Sequence, residues 1–190
     1  MADEAEKQSS LFVEDGSCVP NANCYVPLDY ADSYMESTGK TAWASLSEND
    51  RKSRLINATR YIDRTYSKLG WKGFKKYRRS QPLCFPRVEL YDKDGYEVEG
   101  IPDELKQAVC EAAFLSTTTD LFTVVDAAGT VKKQKVDVLE VEYSGNGAES
   151  SGYISRFTVL DYLLADFYKT KGDRRRVLRA VHTDLLGGRI

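Results

Sequence analysis

Between Arg64 and Arg79 the chain sets seven Lys or Arg and no acid among Tyr66, Trp71, Phe74 and Tyr77. Cations neutralise phosphates and aromatic rings stack on bases, the combination used in sequence-tolerant binding of single strands. The plain alternative makes Tyr66, Trp71 and Phe74 core or interface residues and leaves the charges solvated, and spacing keeps both readings open for the aromatics. For Lys72, Lys75, Lys76, Arg78 and Arg79 the run favours a surface facing phosphate or an acidic neighbour, with Trp71 and Tyr77 beside them. A second basic stretch, Lys171 with Arg174, Arg175, Arg176 and Arg179, carries Val177, Leu178, Leu185 and Leu186. It is too short to fold alone, and an arm of this mixture gains order on a partner.

Other constellations fall short of chemistry. Thr38-Gly39-Lys40-Thr41 has the end of a phosphate loop, but Tyr34 stands where the first glycine of that loop belongs. Aligning Gly95 of Asp92-Lys93-Asp94-Gly95 with the turn glycine of a calcium loop puts Leu90 and Ile101 at positions that require carboxylates. Asn57-Ala58-Thr59 matches a glycosylation acceptor but falls in the middle of an expected helix. His182, the single histidine, lies in the basic arm away from any nucleophile. Cys18, Cys24, Cys84 and Cys110 lack zinc-like spacing and read as reduced thiols. The expectation is a protein without catalysis, metal or cofactor.

These residues need elements to hold them. Leu55, Ala58, Ile62, Tyr66 and Leu69 recur at spacings of three and four, which predicts a long helix capped by Ser47 and stopped at Gly70. Leu28 to Ser37 predicts a shorter helix, with Trp43 and Leu46 plugging the gap between the two. Pro102 at the first helical position opens a third helix with Leu105, Ala108, Val109, Ala112 and Leu115 or Ser116 on its stripe. A fourth, carried by Phe157, Leu160, Leu163, Leu164, Phe167 and Tyr168, runs to about Gly172. Leu11 to Val13 reads as an edge strand, Asp94-Gly95 as a hairpin turn between 88–91 and 96–98, and 131–143 as the clearest strand region before a flexible 144–152 linker. The fold class expected is mainly α (α+β): about four helices in a small bundle, an antiparallel β-hairpin and extended terminal arms.

With 190 residues the chain fits one domain with arms: 1–10 flexible, 11–168 the domain, and 169–190 the basic arm. The net charge of −2 hides eight acids against Lys7 in residues 1–36, and seven Lys or Arg against two acids in 169–190. Opposite ends of this kind suit docking between surfaces or between copies, or are two solvated tails. No stretch approaches the roughly 18 apolar residues of a membrane span, and the acidic N-terminus lacks the basic and apolar regions of a signal peptide.

Seven pieces in order carry a resemblance: Phe12–Gly16 (FVEDG), Asn23–Met35 (NCYVPLDYADSYM), Leu55–Tyr66 (LINATRYIDRTY), Trp71–Gly73 (WKG), Gln81–Arg87 (QPLCFPR), Ile101–Ala113 (IPDELKQAVCEAA) and Lys135–Tyr143 (KVDVLEVEY). Together they resemble the bacteriophage head–tail connector (adaptor, head-completion) proteins, a family that often carries the label "putative DnaT-like single-stranded-DNA-binding protein". The resemblance implies a mainly helical virion subunit, assembled in the host cytoplasm as a dodecameric ring around the DNA channel. Its partners would be portal protein, identical subunits, tail or nozzle protein and passing duplex DNA. The arm from Lys171 to Leu186 would grip the portal. Similar proteins tend to stop shortly after a stretch like Arg174–Ala180, whereas this chain continues to Ile190. The alternative implied by the label is a non-catalytic single-strand-binding protein that uses the 64–79 stretch.

Overall fold

The computed structural model of the chain describes residues 10–122, 124–125, 153–154 and 157–169. Helix α1 (Leu28–Ser37) buries Ala31 and Met35 and keeps Leu28 and Tyr34 packed at the edge of the core. It closes as the Thr38 hydroxyl donates back to Tyr34 O (2.8 Å) and Gly39 adopts φ +72°, a conformation that costs glycine little. Helix α2 (Glu48–Leu69) starts where Ser47 Oγ accepts from the Asp50 N–H at 3.1 Å, satisfying one of the unpaired amides of a helix start. Its 22 residues span about 33 Å and end at Gly70, φ +90°.

The expected α2 stripe is buried at Leu55, Ala58, Ile62 and Tyr66, and Thr59, Tyr61 and Thr65 widen it. Several neighbours meet the helix, which explains the width. Helix α3 (Asp103–Leu115) packs along α2, and helix α4 (Thr158–Leu164) packs on α3 and touches α2 where Phe157 meets the Tyr61 ring, while the loop carrying Phe85 is tied to α2 by the Cys84 amide on Asp63. The small side chains of Ala108, Ala112 and Ala113, all fully buried, line α3 within this packing. Two carboxylates tie the elements together. Asp32 accepts from Trp43 Nε1 (2.7 Å) and Arg51 Nη1 (2.6 Å), and Glu111 accepts from Tyr34 OH (2.8 Å) and Lys40 Nζ (2.7 Å).

The result is a mainly helical fold: four α-helices among the described residues and short antiparallel strand pairs. Strand β1 (Phe74–Lys75) pairs with β2 (Arg87–Val88), Phe74 opposite Val88. Strand β3 (Val124–Val125) pairs with β4 (Tyr153–Ile154).

Several local expectations shift. Pro102 is the N-cap of α3 and not its first helical residue, because its ψ of 145° is extended while its carbonyl already accepts from Leu105 and Lys106. Helix α4 ends at Leu164, well before Gly172, since the chain leaves the helix to pair its next residues with Gly70–Lys72. Val88 joins β1, so the turn at Asp94-Gly95 closes only the single bridge Tyr91–Glu97. Leu11 to Val13 contributes one bridge, Val13 to Cys24. The 131–143 strand region, the 144–152 linker, residues 1–9 and the arm beyond Lys169 lie outside the described residues.

Candidate nucleic-acid interface

The basic–aromatic run begins inside the core. Trp71, 7% exposed, stacks edge-on against Phe85 with ring centres 5.0 Å apart and lies beside Tyr66, while its Nε1 donates to Ser67 Oγ at 3.2 Å. Its backbone segment pairs with the chain after α4: Lys72 N donates to Phe167 O and Lys169 N to Gly70 O, both 2.8 Å. The root of the C-terminal basic arm therefore stands beside the root of the basic loop. Tyr66 OH reaches Asp161 Oδ1 at 2.7 Å and fastens α4 to the same place.

Beyond Trp71 the loop is braced by three side chains whose roles are invisible to periodicity. Arg87 forks onto three carbonyls, Nε to Lys72 O (2.6 Å), Nη2 to Gly73 O (2.8 Å) and Nη1 to Cys84 O (3.1 Å). Gln81, 3% exposed, accepts from Tyr77 N (3.3 Å) and donates to Leu83 O (3.0 Å). Asp63 reaches inward from α2 to accept from Tyr25 OH (2.8 Å) and Cys84 N (3.0 Å). Burial pushes the Asp63 carboxyl above its ordinary range despite these donors, and pushes the Tyr25 hydroxyl and the Cys84 thiol up as well. Gly73 permits the tight crossing of the two strands: at φ +62° an added Cβ would stand 2.4 Å from Val88 O.

The acidic N-terminal segment supports the loop from outside. Glu14 is buried without a cation because its carboxylate accepts three backbone amides, from Gly16, Cys18 and Val19. The turn so fixed receives the Tyr77 hydroxyl on Gly16 O at 3.2 Å. FVEDG is thus a prop for the loop rather than a plain strand ending.

Of the aromatics in the run, Tyr66 and Trp71 belong to the core, Tyr77 is half-buried, and Phe74 is 64% exposed on β1. Arg78 and Arg79 are exposed at the loop tip, and Lys76 lies over the Tyr77 ring at 5.5 Å. Lys75 Nζ donates to Gln81 O at 3.3 Å. Among the described residues none of Lys72, Lys75, Lys76, Arg78 and Arg79 is in an ion pair. The braced loop presents Phe74 and the exposed cations Lys76, Arg78 and Arg79, while Lys75 lies near enough to Asp63 to favour its charged form.

A second basic feature reaches back along α2 from the start of the run at Arg64, and its part before Arg64 was not singled out from sequence. Arg54, Asn57, Arg60, Arg64 and Lys68 fall within about 120° of the α2 surface at about 100° per residue, flanking the apolar stripe. Arg54, Asn57, Arg60 and Arg64 face Ser116–Phe122 at the end of α3 across a cleft of about 370 Å³. The signal was the three-to-four spacing of these polar residues, outshone by the apolar spacing of the same helix.

Elsewhere the sequence candidates take structural roles. Lys40 of the Gly-Lys-Thr stretch is held by Glu111 and the rings of Tyr34 and Phe114. Asp92 Oδ1 accepts from the amides of Asp94 and Tyr96, which makes that segment a self-bonded turn. The four cysteines are free thiols. Among the described residues no helix is long and apolar enough to cross a membrane, and no three His, Cys, Asp or Glu cluster as a metal site.

A protein-family model described as "Putative DnaT-like ssDNA binding protein" matches residues 9–181. The chain belongs to this DnaT-like family. The match takes in the basic loop, the α2 arginines and the arm from Lys171 to Arg179, and ends nine residues before Ile190. The description of the DnaT-like family speaks of single-stranded DNA and not of a head–tail connector. No curated protein and no solved structure matches the chain.

Proposed function

We propose that the protein is a non-catalytic single-stranded-DNA-binding protein whose contact surface includes the braced loop Lys72–Arg79. The observation that carries this reading is Phe74, a large ring 64% exposed on a strand pair, near the exposed cations Lys76, Arg78 and Arg79, which form no ion pair among the described residues. A ring so exposed is poorly explained by packing, and it offers a base a π-face while the neighbouring Lys and Arg neutralise the backbone. Membership of the DnaT-like family supports the same ligand class. Trp71, buried, is left out of the contact and acts as the hinge-pin of the mount. Replacing Phe74 by Ala should weaken binding of a labelled oligothymidylate by about 5- to 150-fold, the range for one base–aromatic stack. Unchanged affinity would remove the stacking role.

A second reading is favoured by the apolar character of the same face. Phe74 and Val88 form an exposed cross-strand pair, and Tyr91 and Tyr96 are also exposed in the 70–100 span. This is the composition of a surface covered by a neighbouring subunit. Under that reading the protein is a ring subunit of a phage head–tail connector in the virion, bound to portal through the arm containing Lys171, Arg174–Arg179, Leu185 and Leu186. Tail or nozzle protein would sit on the other side and duplex DNA would pass through. Rings in electron micrographs, with negligible single-strand binding and loss of portal attachment on removal of residues 170–190, would establish it over the first.

A further inference from the structure

The α2 cleft has the features of a nucleotide-sized anion site. Its volume of about 370 Å³ is at the small end of ligand pockets, enough for one nucleotide. Three guanidinium groups line it against one carboxylate, Asp120, which is already turned to the Phe122 amide at 2.9 Å. Arg54 forms the floor: its Nη1 is spent on Ser116 O and Oγ, while its Nε is buried with no hydrogen-bond partner among the described residues. Arg60 and Arg64, one helical turn apart and exposed, have no ion pair or hydrogen bond among the described residues, and the Asn57 amide is equally free. Phe122, held edge-on to Tyr61 with ring centres 5.9 Å apart, supplies a fixed apolar wall. Uncompensated guanidinium groups beside an apolar wall recognise a group that is anionic at one end and flat and apolar at the other.

We infer that this cleft holds one nucleotide of a bound single strand, its phosphodiester between Arg60 and Arg64 and its base toward Phe122. The inference rests on the single-strand reading and extends it, since it puts a second anchor on α2, apart from Phe74. Arg60, Arg64 and Lys68 on one flank of α2 then form a backbone track that leads toward the loop root at Gly70.

The test uses the full chain and a labelled oligothymidylate, titrated across salt concentration. Each phosphate contact on a single strand contributes about 0.7 to the slope of log affinity against log salt. The double variant Arg60→Gln/Arg64→Gln removes the cations of that one phosphate and should lower the slope by about 0.7 and weaken binding about fivefold at about 0.1 M salt. Asp120→Asn keeps an acceptor for the Phe122 amide and removes the one opposing charge, so it should tighten binding, by up to about fivefold. A purely structural role for these exposed residues predicts neither change. Wild-type slope and affinity in the double variant would overturn the cleft while leaving the loop reading standing. The same result with altered self-association would mark the cleft as a protein contact. No binding by the wild-type protein would overturn both readings.

Discussion

Replacing Arg87 by Lys tests whether the basic loop is a built mount or a loose surface segment. The substitution keeps the charge and most of the length but loses the planar fork that reaches Lys72 O, Gly73 O and Cys84 O together. A lysine can satisfy one of the three carbonyls well, so two charge-assisted bonds disappear. Such bonds contribute about 1.5–3 kcal/mol each, and the half-buried setting puts these two near the low end, for a loss of about 3 kcal/mol. For a chain of this size that lowers the melting temperature by about 6–12 °C. Circular dichroism on heating and in urea measures the loss. Amide hydrogen exchange should locate it, with protection falling first in Lys72–Val88 and only later in α2 and α3. A change within about 0.5 kcal/mol, the range of ordinary surface substitutions, would refute the bracing argument.

Two further outcomes follow from the same loop. Asp63 has a folded-state pKa above its unfolded value, so stability is fullest below the ordinary aspartate range and falls as pH rises through the raised folded pKa. Asp63→Asn should abolish that decline, so its deficit against wild type should shrink as pH rises from about 4, read from urea midpoints across pH. A gap that widened with pH would contradict burial as the dominant effect. Gly73→Ala meets Val88 O and a left-handed backbone at once, and should destabilise by more than about 1 kcal/mol in the same unfolding assays. A neutral Ala would mean that the strand crossing is looser than drawn.

Helix spacing was legible because it depends on neighbours three and four residues away. Leu55, Ala58, Ile62 and Tyr66 all reach the core as their periodicity requires, and Ser47 and Gly70 mark the α2 ends. What periodicity could not convey was how the irregular 70–100 span is held. Arg87, Gln81 and Asp63 act on carbonyls and amides that are distant in sequence or on the other side of a turn, and nothing local distinguishes them from solvated residues. Glu14 is the sharpest example, a carboxylate among many that is buried only because three amides converge on it. The candidate site was legible as chemistry and not as geometry. The run of cations and rings was plain, but Trp71 and Phe74, three residues apart, lie on opposite sides of the core boundary. Arg54, Arg60 and Arg64 gained meaning only once Ser116–Phe122 were seen to face them.

The most direct measurement of single-strand binding is a titration of the intact wild-type protein with a labelled oligothymidylate at about 50 and 200 mM salt. Four phosphates neutralised by the loop and the α2 flank give a slope of about −3, hence an affinity about fifty-fold lower at the higher salt. Binding with that salt dependence is the predicted result. Absence of binding at both concentrations, or binding indifferent to salt, would contradict a nucleic-acid role for these cations.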